Sequence, residues 1–271
     1  MSRKSLMDML KAVQEEKNID YAKKFLADFT HTIEKIDADN SRPPSQTLKP
    51  SSLRCLRSGF FQVVGAPLDG VPTSTNLIGI CESGTFIHEM VQSKATKLSG
   101  WEYVNVADYV REKKLDLEIL KECDFEKGEY ETKLYSNKYN IRFLADGILR
   151  YKNKIFILEI KSISGSKFYT TKDVPSHYKT QAISYSKLLG IPSILFLFVD
   201  RDLFNMKTFL YTPTEQERMD WDANLSYVTY CIENNIVPAK QEIAKKDRKF
   251  CQYCDYREVC GSLKDGEPYT R

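Results

Sequence analysis

Ile141-Arg-Phe-Leu-Ala-Asp146-Gly-Ile-Leu-Arg-Tyr151, then Lys152-Asn153, then Lys154-Ile-Phe-Ile-Leu-Glu159-Ile-Lys161-Ser162 is the stretch that decides how this chain reads. Two β-like runs, Ile141–Tyr151 and Ile155–Ile163, are separated at Asn153, which marks a tight hairpin. Residues i and i+2 of a strand share a face. Glu159 and Lys161 therefore project together, while Leu158 and Ile160 face the other way. Pairing about the Lys152–Lys154 turn brings Asp146 close to opposite Glu159. Two carboxylates and a lysine on one sheet face suit a hard divalent cation, Mg²⁺ or Mn²⁺, which accepts oxygen ligands and binds substrate phosphate. Such an ion lowers the pKa of a bound water and offsets phosphate charge. Lys161 could orient or deprotonate that water, or stabilise the transition state. A lone Glu-x-Lys is usually a surface ion pair, so the reading depends on the residues around it.

Outward from this hairpin, Tyr130–Tyr135 is a third β-like run. Helical spacing appears over residues 5 to about 37, first as Leu6, Met9, Leu10 and Val13, then as Tyr21, Phe25 and Phe29. Pro43, Pro44 and Pro50 make the following segment an extended linker. Residues 1–45 thus read as a helical arm ahead of a main body, 46–271. Within that body, Ser51 to Phe61 starts a short helix with Ser51 or Ser52 as cap, and Gly84 to about Leu98 carries Ile87, Val91 and Ala95 at helical spacing. Pro175–Leu189 is a helix stopped by Gly190 and Pro192. Ile194–Val199 is a buried strand with Lys207–Tyr211 as its hairpin partner, and Thr214 to about Asn234 is a helix bearing Trp221, Leu225 and Val228. The expected class is α/β, a central mixed sheet flanked by helices.

Composition excludes little and fits this class. The 271 residues are 42% hydrophobic and 28% charged, as in ordinary folded proteins. No apolar run approaches the ~18 residues of a membrane span, and Met1-Ser-Arg-Lys-Ser-Leu lacks the apolar core of a signal peptide. A cytoplasmic location and no membrane partner are expected. A net charge of +3 permits nucleic acid without demanding it. The local groups Lys94/Lys97, Lys152/Lys154, Lys167/Lys172 and Lys245/Lys246/Arg248/Lys249 are phosphate contacts or solvated faces. No G-x-x-x-x-G-K-[ST] is present, so no ATP motor is read.

Seven cysteines in such a chain argue against a disulfide framework. Cys251-Gln-Tyr-Cys254-Asp-Tyr-Arg-Glu-Val-Cys260 is C-x₂-C-x₅-C, and Cys55 is the best fourth thiolate. A Cys₄ site could hold Zn²⁺ or an iron–sulfur cluster. One C-x₂-C pair with two outlying cysteines, rather than two pairs, favours the cluster. Cys81, Cys123 and Cys231 show no grouping.

Asp146 followed by Glu159-Ile160-Lys161 resembles the core of the PD-(D/E)xK nucleases. Gly84-Thr-Phe-Ile-His88 and Gln181-Ala-Ile-Ser-Tyr185 resemble the G-x-x-x-H and Q-x-x-x-Y motifs of its RecB-type members, in the family's order. Ala145 stands where the motif's proline would be. One cysteine before this core and C-x₂-C-x₅-C after it is similar to the superfamily's iron–sulfur members, among them the AddB nuclease domain and stand-alone CRISPR-associated and phage relatives. The resemblance spans roughly residues 51–262. It implies a metal set of His88, Asp146, Glu159 and Ile160, a lysine at 161 serving the attacking water, and Gln181 and Tyr185 positioning the site and the DNA backbone. It also implies a [4Fe-4S] cluster on Cys55, Cys251, Cys254 and Cys260 that ties the chain's ends together. The activity implied is metal-dependent DNA hydrolysis, as an exonuclease on single strands or ends, in recombination, replication or repair. Competing readings are a non-catalytic DNA-binding or assembly subunit, or a CRISPR spacer-processing partner; a homo-oligomer or a recombination or replication partner protein is compatible with each.

Overall fold

The computed structural model describes residues 20–40, 45–70, 73–241 and 249–270, with only the backbone of Lys249. The Leu6–Val13 stripe, the Pro43-Pro44 pair and the basic group at 245–248 lie outside the described residues. In chain order the elements are α1 (Tyr21–Asn40), a 3₁₀ turn (Pro50–Arg54), α2 (Leu56–Val64), α3 (Thr75–Ala95), β1 (Glu102–Val104), α4 (Val106–Glu112) and β2 (Glu118–Lys121). After a second 3₁₀ turn (Phe125–Lys127) follow β3 (Thr132–Ser136), β4 (Ile141–Ala145), β5 (Gly147–Tyr151), β6 (Lys154–Ile163), α5 (Gly165–Thr170) and α6 (Ser176–Leu189). The chain continues through β7 (Ile194–Asp200), β8 (Met206–Tyr211), α7 (Glu215–Glu233), α8 (Lys249–Gln252) and α9 (Arg257–Ser262).

Two compact units are present. Among the described residues one comprises 20–40 and 73–81, the other 45–70, 82–241 and 249–270. In the smaller unit α1 buries none of its side chains, and Thr75 Oγ1 donates to Glu34 Oε1 across 2.8 Å. The segment 73–81 therefore belongs with the arm, a return of the chain that composition does not mark.

The larger unit is mixed α/β. A five-stranded sheet runs β1-β5-β6-β7-β8, with β6 and β7 parallel and the other neighbours antiparallel. A three-stranded antiparallel sheet runs β2-β3-β4. Alternation along β6 separates two cores. Ile157 and Ile163 join Phe196, Phe198, Ile194 and residues of α2, α4, α6 and α7 on one face. Leu158 and Ile160 join Leu149, Val199 and the Ile87–Val91–Ala95 stripe of α3 on the other. Each fully buried phenylalanine of β7 contributes about 1.5–3 kcal/mol. Helix limits follow local chemistry. Gly190 closes α6 at φ 67, where a side chain is disfavoured. Thr214 and Glu217 form a reciprocal capping box at the start of α7.

Three expectations change in detail. The run Ile141–Tyr151 is not one strand but two, β4 and β5, in different sheets. The helix expected from Gly84 begins at Thr75. The helix start at Ser51 is a 3₁₀ turn, and the α-helical geometry begins only at Leu56.

The two ends of the larger unit are joined by Arg57, 1% exposed. Its guanidinium donates to the carbonyls of Pro238, Cys260 and Leu263 at 3.0, 3.2 and 2.6 Å, and to Asp265 Oδ1 at 2.5 Å. The Asp69 carboxylate accepts from the backbone N–H of Arg257 and Glu258 at the start of α9.

Candidate active site

Asp146 is the single residue between the two sheets. Ala145 pairs with Thr132 in the three-stranded sheet, and Gly147 pairs with Leu158 in the five-stranded one. One step beyond the last β5–β6 pair, Asp146 stands opposite Glu159. Asp146 Oδ2 accepts the Ile160 backbone N–H across 2.6 Å, a donor that no residue of β5 takes. A strand residue's N–H and C=O leave on the same side, so the Ile160 carbonyl faces the same edge. The Asp146 carbonyl is held by Gln92 Nε2 at 2.8 Å and the Tyr103 hydroxyl at 2.6 Å. That approach requires Gly147: a Cβ there would lie 2.6 Å from the Tyr103 oxygen.

The break collects ligands. His88, on α3, places Nδ1 3.2 Å from Asp146 Oδ1 and 3.9 Å from Glu131 Oε1. His88, Glu131 and Asp146 offer ligand atoms all within 4.8 Å of one another, a donor set of imidazole and carboxylate oxygens suited to a divalent cation. Burial opposes the His88 cation, but the hydrogen bond and charge of Asp146 outweigh it and raise its pKa. Burial, then the Asp146 charge, raises the Glu131 carboxyl. A cavity of about 550 Å³ opens beside this group, lined in part by Thr85, His88, Gln92, Tyr130 and Glu131.

Glu159 and Lys161 share the α6 face of β6. The Lys161 ammonium lies 2.5 Å from Glu159 Oε1, donates to Gln181 Oε1 at 3.0 Å and sits 4.9 Å over the Tyr178 ring. Gln181 Nε2 donates to the Tyr185 hydroxyl at 2.6 Å. Burial raises the Glu159 carboxyl, with the Lys161 charge opposing and the Asp146 charge adding to the rise. Burial also disfavours the Lys161 cation, but the Glu159 and Asp146 charges outweigh it and hold the amine protonated. Burial raises the Tyr185 phenol, which stays neutral.

The structure thus brings His88 to Asp146, Asp146 to the Ile160 backbone, Glu159 to Lys161, and Lys161 through Gln181 to Tyr185. The Glu159 carboxylate is engaged by Lys161 and lies outside the tight group of three. Sequence reasoning missed Glu131, Gln92 and Tyr103. Glu131 sits inside a β-like run with no motif around it. Gln92 alone carried a signal, four residues after His88 on the same helix face.

Cys55, Cys251, Cys254 and Cys260 line one cavity of about 320 Å³, together with Arg57, Phe61 and Phe250. None of the four is in a disulfide. Burial raises the Cys55 and Cys254 thiols, and the charges of neighbouring thiols in the group add to that rise. Cys231 is buried in the main core, while Cys123 is half-buried and Cys81 exposed.

No protein-family model matches the chain, and no curated protein matches it. Among solved structures it is similar to SSO0001, with a TM-score of 0.45 and 15% identity over 87% of this chain and 96% of that one. It is also similar to LHK-Exo in complex with dAMP, with a TM-score of 0.43 and 12% identity over 76% and 94% of the two chains. A further structure of that alkaline exonuclease, from Laribacter hongkongensis, gives 0.37 and 10% over 70% and 89%. At these values the likenesses carry no functional argument, which falls to the geometry of the site. No helix among the described residues is long and apolar enough to cross a membrane.

Proposed function

We propose that the protein is a metal-dependent deoxyribonuclease of the PD-(D/E)xK type, an exonuclease acting on single-stranded DNA or DNA ends. The observation that carries this reading is the convergence on one strand break of His88, Glu131 and Asp146 with the Glu159–Lys161 pair of the adjoining strand. His88, Glu131 and Asp146 would hold Mg²⁺ or Mn²⁺, with Glu159 and the Ile160 carbonyl beside them. A cation there supplies charge stabilisation for a phosphodiester and a more acidic water. Lys161, held protonated, orients the attacking water and stabilises developing negative charge, and Gln181 and Tyr185 fix its position.

The four cysteines fit a [4Fe-4S] cluster by donor chemistry: four cysteines, none in a disulfide, around one cavity. Four thiols would equally hold a tetrahedral zinc. The preference for the cluster rests on the C-x₂-C-x₅-C spacing with one outlying cysteine, and the iron and zinc contents of the purified protein decide between them. The cluster's role here is structural.

The test uses anaerobically purified protein and DNA labelled at either end, single- and double-stranded. Mg²⁺, Mn²⁺ and chelator are compared, with Asp146→Ala and Lys161→Ala in parallel. Metal-dependent release of label, abolished by both substitutions in folded protein, is the expected result. Absence of cleavage by folded, iron-replete wild type under every condition would overturn it.

A further inference from the structure

The C-terminal edge of the parallel pair β6–β7 carries a surface that the metal site leaves unused. From Lys161 the strand runs three residues, roughly 10 Å, to Ser164 and directly into α5. There α5 presents Tyr169, 57% exposed. The β7–β8 connection lies against it. The Gly165 N–H donates to Asp202 Oδ2 at 2.8 Å, and Asn205 Nδ2 donates to the Tyr169 hydroxyl at 3.0 Å. The Lys207 ammonium donates to the carbonyls of Phe168 and Thr171.

The tip of this connection exposes three more large apolar side chains: Leu203 at 69%, Phe204 at 45% and Met206 at 54%. Phe204 has φ +57, a left-handed conformation that an aromatic residue rarely adopts. Two backbone bonds hold it there, Phe204 N–H to the Asp200 carbonyl at 2.7 Å and Asp200 N–H to the Asn205 carbonyl at 2.9 Å. Such strain persists where the surroundings over-determine it, and it clusters at ligand clamps. Of the tip's two carboxylates, Asp200 is fully buried, and Asp202, although exposed, is engaged by the Gly165 N–H. Lys167, on the same short helix as Tyr169, and Lys172, just beyond its end, are exposed, and among the described residues no carboxylate pairs with either.

We propose that Tyr169, Phe204 and Leu203, flanked by Lys167 and Lys172, form a stacking surface that holds the bases and phosphates of a single DNA strand beside the Lys161 end of β6. Exposed rings alone would suit a protein partner. Exposed rings with unpaired cations on the same short segment suit a strand, whose bases stack without sequence preference while its phosphates meet the lysines. The direction in which the strand leads rests on the nuclease reading; the binding does not.

The experiment is binding of the full chain to a single-stranded oligonucleotide carrying 2-aminopurine, in Ca²⁺, read by anisotropy and by quenching of the fluorescent base. Phe204→Gly removes a ring at a φ that glycine adopts freely, so its fold is preserved; Tyr169→Leu keeps apolar bulk. Each is expected to weaken binding about tenfold and to relieve the quenching. The Lys167→Gln/Lys172→Gln pair is expected to lower the slope of log K against log salt by about 1.4. Wild-type affinity and quenching in both ring variants would overturn the proposal. So would loss of self-association in sedimentation with DNA affinity unchanged, which would make the edge a contact between copies of the chain. If the wild type binds through this edge but cleaves nothing, the nuclease reading falls and the surface stands.

Discussion

The backbone N–H of Ile160 donates to Asp146 Oδ2 across 2.6 Å, although Asp146 lies outside both sheets. One carboxylate oxygen thus caps the edge of β6 while the other faces His88. Asp146→Asn keeps an acceptor for one of these partners but loses the charge. Its melting temperature should stay within about 5 °C of wild type, while Mg²⁺ affinity by calorimetry falls about 100-fold and cleavage about 1,000-fold. Retained Mg²⁺ affinity would remove Asp146 from the ligand set.

Gln181 links Lys161 to Tyr185 and touches none of the three clustered ligands. Gln181→Ala leaves the Tyr185 hydroxyl buried without that partner, costing about 1–3 kcal/mol. It also frees the Lys161 ammonium from one of its two anchors. Cleavage should fall about 10- to 100-fold with Mg²⁺ affinity unchanged. Equal loss of both would place Gln181 at the metal instead.

Glu131 is the ligand candidate that no motif announced. Glu131→Gln should weaken Mn²⁺ binding about 10- to 100-fold and lower kcat, leaving the fold intact because the side chain is half-exposed. Mn²⁺ titration followed by electron paramagnetic resonance distinguishes this from a packing role, which would leave the titration unmoved.

Arg57 satisfies three carbonyls of the C-terminal tail and is itself almost fully buried. Arg57→Met preserves its stem but orphans those acceptors. A destabilisation of about 3 kcal/mol is expected, a drop of roughly 6–12 °C in Tm. Cys254→Ala should lose bound iron altogether; if iron content persists, the four-thiol cavity is not the cluster's seat.

Burial raises the Glu217 carboxyl, but the bonds it receives from the Thr214 N–H and the Thr214 hydroxyl outweigh that and hold its pKa below the ordinary 4.5. The folded chain therefore gives up this proton more readily than the unfolded one. The capping box contributes stability above pH 4.5, about 1 kcal/mol, and loses it as pH falls through the depressed pKa. Urea midpoints of wild type and Glu217→Gln should differ at pH 6 and converge near pH 3.

Much of the fold was legible because its signals are local. Gly190 ends α6 and Thr214–Glu217 starts α7 within the sequence window that names them, and the Tyr151↔Lys154 pairing closes the hairpin about Lys152-Asn153. The strand break was not legible: Gly147 within the run signals a bulge or a close backbone approach but not a change of sheet, and only the long-range pairing of Ala145 with Thr132 diverts the chain. Glu131 depends on that same diversion, since β3 reaches the site through its partner β4. Helix α3 gave its inner half through Ile87, Val91 and Ala95, while Thr75 to Ser83, whose Leu77, Ile78, Ile80 and Cys81 surround Gly79, was passed over.

A joint of one residue also has a dynamic meaning. Proteins open locally in cooperative units that often coincide with supersecondary motifs, and Asp146 is the covalent seam between the three-stranded and the five-stranded sheet. Glu131 rides with the three-stranded sheet, whereas Glu159 and Lys161 ride with the five-stranded one. A cation held across the seam would act as a rivet between the sheets: its occupancy is expected to slow amide exchange in β3–β4 and β5–β6 together.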